Sequence, residues 1–367
     1  MSLIGAVLVL PYMVVFFTFW LATSLQRPMM YATIFCLAIN PMAAQRKLTL
    51  FVNTARYLLF SKDKKWKEPE VPKYTTVHKV ETKTIIFVRH GQSTWNETFN
   101  RGEKTKLNFY MFFIPNAIKA FFMEWYFMVT GQDKESWFYD SPLNDMGKSQ
   151  AESVRKFMRT NLQFSTPKEA RLIRIMLGES PDGKGPPTRE PSSQLVSSNL
   201  RRAISTLVIG ARERLDRGYE NDKVIILSQM QEVSFNPDAL CITPAKGKCE
   251  LAFTDPKFLK PYFDNNLDTS LHTGNKPITS NGIIRLQSFA ETIFKDIKKE
   301  NIVAAGHSLW FRSFFRTFLP KDYDHVSKVK KIRNGGCVGL EFQKKTTDNG
   351  VVYEIVPGSI VVLHIGF

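Results

Sequence analysis

Acidic residues are scarce, 34 Asp and Glu against 50 Lys and Arg in 367 residues, a net charge of +16. A surplus of this sign excludes an acidic, solvating chain and favours anionic partners: nucleic acid, an acidic membrane surface or a phosphorylated substrate. Cysteine is scarcer still. Cys36, Cys241, Cys249 and Cys337 form no CxxC pair, which excludes a zinc ribbon and a disulfide framework and points to a reducing compartment. A single bridge between Cys241 and Cys249 stays open. No internal repeat is present, so a solenoid is excluded. Nor does any nucleic-acid motif occur, and part of the basic surplus is concentrated in one stretch, so nucleic acid drops out as an expected partner.

What is present begins with an uncharged run of 23 residues, Leu3 to Leu25. At ~1.5 Å per residue such a run spans a bilayer. It lacks the basic opening and short apolar centre of a cleaved signal peptide, so a retained anchor is expected over residues 1–44, with a buried helix as the alternative. A second apolar run, Met29 to Ala44, is a candidate re-entrant or hairpin partner. Residues 45–83 then hold ten Lys or Arg against four Asp or Glu. Leu48, Phe51, Val52, Ala55, Leu58 and Leu59 recur there at helical spacing, which fits either an interfacial helix or an amphipathic helix packed on the domain. A basic segment directly after an apolar one places the rest of the chain on the cytoplasmic side of its membrane. Pro69 and Pro72 mark a linker into a domain expected over residues 84–367.

Within that domain short β-type runs alternate with helical ones. "TIIFV", "QLVSS", "KVIILS" and "NIVAAG" read as buried strands, with "NLRRAISTLVIGARERL" and "GIIRLQSFAETIFKDIKK" as helices between them. Apolar strands separated by amphipathic helices predict a three-layer α/β/α fold with a mostly parallel central sheet. "GGCVGLEFQKK" and "GVVYEIVPGSIVVLH" read as a closing hairpin.

Ligands of such sheets bind beyond the carboxyl ends of the strands. There stand Arg89, His90 and Gly91 after "TIIFV", Arg201 and Arg202 after "QLVSS", and His307 after "NIVAAG". Histidines and guanidinium groups converging on one edge suit a phosphate-like dianion, which they bind by charge-assisted hydrogen bonds. Taken singly, each of these residues is as well read as structural. His78, His272, His325 and His364 have no motif around them.

"VRHGQSTWNE" resembles the signature of the histidine phosphatase superfamily, in its phosphoglycerate mutase-like branch. "DSPLNDMGKSQA", "SSNLRRAISTL", "AAGHS" and "IRNGGCVGLEF" are similar to later family segments, in order from about residue 84 to the C-terminus. The resemblance implies a phosphoric monoester hydrolase without cofactor or metal. His90 would be the nucleophile, giving a phosphohistidine that water hydrolyses. Arg89, Arg202 and His307 would hold the phosphoryl oxygens, with Asn96 and Ser93 adding hydrogen bonds. Arg202 is chosen over Arg201 because the family arginine directly precedes alanine, here Ala203. Glu232, in "SQMQEVSFNPDAL", would donate a proton to the leaving oxygen. Ser93 and Asn96 also suit a helix cap.

The chain departs from the family in two places. The mutases' "NERHYG"-like run is replaced by "SQMQEVSFNPDAL", which favours hydrolysis over mutase chemistry. An apolar insert at about 101–138, densest over residues 106–131, falls where family members place substrate-facing loops. Pro115, Lys119 and Glu124 argue against a regular spanning helix there. A helical hairpin dipping into the bilayer, a wall over the active site, or an extra helix pair buried on the domain are the readings it leaves. The first would make a membrane-borne or hydrophobic phosphomonoester the substrate and membrane lipid a partner. A phosphotransferase, or a non-catalytic tethered module that holds phosphorylated ligands, are the alternatives.

Overall fold

Along the first strand successive side chains alternate between two cores. Ile85 and Phe87 face one and Ile86 and Val88 the other, and all four are buried. That pattern needs helices on both sides of the sheet, and a computed structural model of the protein has them. It describes residues 31, 34, 35, 38–67, 74–100, 105–132, 134–160, 165–184, 189–279 and 281–367. The strands are β1 (Val77–Arg89), β2 (Ser193–Ser198), β3 (Val224–Leu227), β4 (Leu267–Asp268), β5 (Asn301–Gly306), β6 (Cys337–Thr347), β7 (Gly350–Ile355) and β8 (Val361–His364). The helices are α1 (Pro41–Phe60), α2 (Thr94–Phe99), α3 (Lys106–Val129), α4 (Asp145–Thr160), α5 (Pro167–Met176), α6 (Arg201–Gly210), α7 (Arg212–Leu215), α8 (Lys260–Asn265), α9 (Gly282–Lys295) and α10 (Ser308–Phe318).

The sheet order is β4-β3-β2-β5-β1-β6-β7, with β8 also on β6. From β4 to β1 every pairing is parallel; β6 joins β1, β7 and β8 antiparallel. Helices α4, α5 and α6 cover the face of Ile86 and Val88, where Val154, Ile173 and Leu207 meet Leu195 and Val303. Helices α9 and α10 cover the other, where Phe289, Trp310 and Phe314 meet Phe87 and Ile302. The three-layer arrangement expected from the sequence is therefore present, with a parallel centre and an antiparallel flank.

Three expectations need adjustment. The insert is neither a hairpin nor a helix pair: α3 is one helix of 24 residues that runs through Pro115. Proline is tolerated there because it is exposed, on the side away from the domain, where a lost backbone bond costs least. Helix α1 crosses the expected boundary at 44/45, and β1 begins at Val77, before residue 84. The first half of β1 is exposed and gains its place by pairing with β6. The expected anchor over residues 3–25 lies outside the described residues. Among the described residues no helix is long and apolar enough to cross a membrane.

Helix α1 turns most of its apolar stripe outward, as the interfacial of its two readings has it. Of the residues read from spacing, Leu48, Phe51, Val52 and Leu59 are exposed and Ala55 and Leu58 half-buried, while Ala43, Thr54 and Tyr57 are buried against the domain. Lys47 reaches across to the Glu124 carboxylate of α3, which ties the two helices together.

Candidate active site

Register brings the two histidines together. Arg89 of β1 stands opposite Gly306 of β5, and the His90 N–H donates to the Gly306 carbonyl at 3.0 Å. The next residue on each strand is thus a histidine, and the His90 and His307 rings lie 4.9 Å apart between centroids. Both are buried. The chain leaves β1 through a close backbone crossing: a Cβ on Gly91 would overlap the Gly147 carbonyl of α4, and one on Gly147 would overlap the Gln92 carbonyl. Neither position admits a side chain, so the loop carrying His90 is set directly on the first turn of α4.

The ring nitrogens of His90 have separate tasks. Nδ1 lies 2.6 Å from the Gly91 carbonyl, which can only accept, so Nδ1 carries the proton. Nε2 keeps its lone pair and accepts from Arg202 Nε at 3.3 Å. Burial, then the charges of Arg202 and Arg89, hold the imidazole pKa well below 6.5, so at neutral pH the ring is uncharged. His307 is depressed likewise, by burial first and then by Arg202 and His90. Its Nε2 pairs with the Ser198 hydroxyl of β2 at 2.8 Å, while its Nδ1 is buried with no protein partner.

Arg202, in the first turn of α6, is fully buried. Its Nη1 donates to the Asp238 carbonyl at 2.7 Å, and its Nη2 lies 3.2 Å from the Asp238 carboxylate. Neighbouring Arg201 points elsewhere and pairs with Glu135 at 2.7 Å. Arg89 donates from Nη1 to the Ile332 carbonyl at 2.6 Å, and its buried Nε has no protein partner. Burial pulls the Arg89 guanidinium down to about 10, still charged at neutral pH.

Glu232 follows the turn after β3 and reaches the start of α10. Its Oε1 accepts from the Trp310 N–H at 3.0 Å and the Val233 N–H at 2.9 Å; its Oε2 has one long contact, 3.4 Å, from the Leu309 N–H. The segment around it is anchored by a buried ion triad. Asp63 pairs with Lys276 at 2.7 Å and Arg285 at 2.6 Å, and these cations donate to the carbonyls of Gln231, Glu232 and Ser234.

The structure thus gathers Arg89, His90, Arg202 and His307 in one pocket, with Glu232 on its α10 side. Ser93 and Asn96 lie at the start of α2, engaged with that helix. The Ser93 hydroxyl caps that helix by accepting from the Asn96 N–H at 3.2 Å, and Asn96 Oδ1 accepts from Asn100 Nδ2 at 2.6 Å. Sequence reasoning passed over three neighbours. Asp238 ion-pairs Arg202, and burial, against the charge of Arg202, pushes its carboxyl up to about 6. Asn334 donates to the His90 carbonyl at 3.0 Å. Ser198 holds His307. All three sit in stretches the motifs already singled out, "NPDAL", "IRNGG" and "SSNL", so membership of those motifs was the available signal. Cys241, Cys249 and Cys337 are buried free thiols, and no bridge joins Cys241 to Cys249. Burial pushes Cys249 and Cys337 up to about 12 and Cys241 well above its ordinary range.

No protein-family model matches the chain, and no curated protein matches it. Among solved structures, a mycobacterial glucosyl-3-phosphoglycerate phosphatase with VO3 aligns at 12% identity over 76% of this chain and 98% of that one, TM-score 0.33. A putative alpha-ribazole-5'-P phosphatase from Escherichia coli aligns at 11% over 78% and 98%, TM-score 0.32. A protein described as mycobacterial hydrolase 1 aligns at 13% over 74% and 96%, TM-score 0.32. At these TM-scores the likeness carries no conclusion about this chain.

Proposed function

We propose that the chain is a phosphomonoester hydrolase of the histidine phosphatase type, acting through a phosphohistidine without a metal, and tethered by residues 1–44 to a membrane with its catalytic domain on the cytoplasmic side. One observation carries the chemistry. The His90 and His307 rings lie 4.9 Å apart, Arg202 Nε already donates to His90 Nε2, and two buried nitrogens of this group, Arg89 Nε and His307 Nδ1, have no protein partner. A buried guanidinium N–H left open in this way calls for an acceptor, and a phosphoryl oxygen that takes the Arg89 and Arg202 hydrogen bonds frees the His90 Nε2 lone pair for phosphorus. The motif resemblance, from "VRHGQSTWNE" to "IRNGGCVGLEF", supports the same reading.

In this mechanism Nε2 attacks phosphorus and the P–O ester bond breaks. The leaving oxygen takes a proton from Glu232, whose Oε2 is the less occupied oxygen. Water then attacks the phosphohistidine, the N–P bond breaks, and the water's proton returns to Glu232 as inorganic phosphate departs. Arg89, Arg202 and His307 hold the equatorial oxygens as charge shifts onto them. Asp238 acts through Arg202 as a positioning residue. Ser93 sets the start of α2, and Asn96, in the first turn of that helix, would add a hydrogen bond to the phosphoryl group.

The test is phosphate release from a panel of phosphomonoesters in chelator, by the full chain and by His90→Ala. Release that survives chelator and vanishes in the variant is expected. Transfer of phosphate to an added alcohol in place of water would make the chain a phosphotransferase. Ligand binding by folded protein that releases nothing would make it a binding module.

A further inference from the structure

We propose that the outer faces of α1 and α3 form one docking surface for an anionic lipid bilayer. On α3 the residues Leu107, Met111, Ile114, Ile118, Phe122 and Tyr126 recur every three or four positions, and all are exposed. A stripe at that spacing normally faces a core. Here the opposite side of the helix does so, with Ala120 and Phe127 fully buried and Phe127 against Phe253 at 4.7 Å. Of the internal charges of α3, Glu124 turns inward, its Oε1 accepting from the Ser136 hydroxyl and the Trp137 N–H. Lys119 is exposed at the edge of the stripe, its Nζ 5.0 Å from the Trp137 ring, where a cation suits an anionic headgroup layer.

Helix α1 continues this surface. Leu48, Phe51 and Leu59 are 62%, 50% and 68% exposed, and Lys47 holds α1 against α3 through Glu124. An exposed apolar area of two helices exceeds what a free surface tolerates. Charge identifies the occupant as lipid. Arg56, Lys62, Lys65 and Lys67 are exposed beside the apolar face, and the one acid between residues 41 and 67, Asp63, is buried in its ion triad. Apolar area rimmed by cations is the pattern of a helix lying in an anionic interface. Continuity agrees: Tyr31, Ile34, Phe35 and Ile39, between the uncharged run and α1, are exposed too.

The inner face of α1, behind this surface, touches the network that holds Glu232. The Tyr57 hydroxyl of α1 donates to the Lys276 carbonyl, and Lys276 holds the Glu232 carbonyl. On the proposed phosphatase reading, which this last step requires, the substrate is a phosphomonoester borne by a lipid and delivered from the headgroup layer.

The test uses full-length protein carrying Cys36→Ser, with single cysteines at Phe122→Cys, Phe51→Cys or, as control, Lys184→Cys, each labelled with an environment-sensitive fluorophore. Lys184 lies ahead of β2, at the opposite end of the sheet from the pocket. In vesicles of phosphatidylcholine and phosphatidylserine containing doxyl lipid, quenching at 122 and 51 should exceed that at 184 by about threefold or more. Equal quenching at the three positions in vesicle-bound protein overturns the proposal. So does a label at 122 already shielded in lipid-free protein, which would mean that residues 1–30 or a second copy cover the face. Circular dichroism verifies folding of each variant. Quenching at 122 and 51 in a chain that releases phosphate from nothing would sink the phosphatase reading and leave the surface standing.

Discussion

Replacing Asp63 with asparagine tests whether a residue far ahead of the first histidine motif belongs to the catalytic unit. Asp63 is 1% exposed, and its carboxylate meets Lys276, Arg285 and the Ser234 N–H at 2.6 to 2.9 Å. Burial pushes this carboxyl up, but the two cations together outweigh it and hold the pKa below the usual carboxylate value. Lys276, pulled by burial down to about 8, keeps its proton at neutral pH largely because Asp63 faces it. An asparagine preserves the volume and one acceptor and deletes the charge. Two buried cations are then uncompensated, a change that costs about 3–5 kcal/mol, at least about a fifth of a typical fold's stability of ~5–15 kcal/mol. With a urea slope near roughly 3 kcal/mol/M for a chain of this size, the midpoint should fall by about 1–1.7 M. The sign with pH follows from the depressed pKa: the Asp63 contribution is present in full above the ordinary carboxylate range and fades as acid titrates the folded carboxylate. The assay is urea unfolding of purified wild-type and variant protein at pH 7 and again at pH 3.5, where the difference should narrow. A midpoint shift below ~0.3 M at pH 7 would refute the reasoning and return residues 61–67 to the status of a linker.

Three further predictions concern the pocket. Glu232→Gln should lose roughly 100-fold on alkyl phosphates and under about tenfold on p-nitrophenyl phosphate, whose leaving group needs no proton; Asp238→Asn should lose activity equally on both, and the reverse pattern would transfer the acid's role to Asp238. Because the Asp238 carboxyl is raised to about 6, its ion pair with Arg202 forms as pH climbs through that value, so kcat/KM should rise from pH 5 to 7 in wild type and rise less in Asp238→Asn. The stability assigned to the same group runs oppositely, present below about 4 and lost as pH rises through 6. Gly147→Ala should cut kcat at least about tenfold, since its Cβ would displace the Gln92 carbonyl and with it the loop of His90; near-normal kcat in a folded variant would show that the crossing does not set the nucleophile.

Much of the centre of the fold is legible because parallel strands buried on both faces read as unbroken apolar runs, and "TIIFV", "QLVSS" and "NIVAAG" are such runs. β4 has two residues and no pattern to find. The early half of β1 carries charged, exposed residues and owes its conformation to β6, more than 250 positions on. α5 was not read, although the spacing of Thr166 and Glu169, which form a reciprocal cap, carried its signal. α3 was split in expectation by Pro115, a residue whose cost depends on which side of the helix it occupies, and side is a tertiary fact. In the pocket, the choice of Arg202 over Arg201 could be made from its neighbour Ala203, and the structure turns Arg202 toward His90 and Arg201 toward Glu135. Asp63 was illegible for the opposite reason: its partners lie 213 and 222 residues away, and nothing near it in the chain reports a buried charge.

The buried thiols bear on a different kind of robustness. Enzymes that cleave phosphate esters with a thiolate are silenced when peroxide oxidises that sulfur, and cells use this as a signal. Here the sulfurs of Cys241, Cys249 and Cys337 are sealed inside the domain and held protonated, and the atom assigned to the attack on phosphorus is an imidazole nitrogen. On the proposed phosphatase reading, a catalyst built this way would keep turning over through an oxidative burst that switches thiol-dependent phosphatases off.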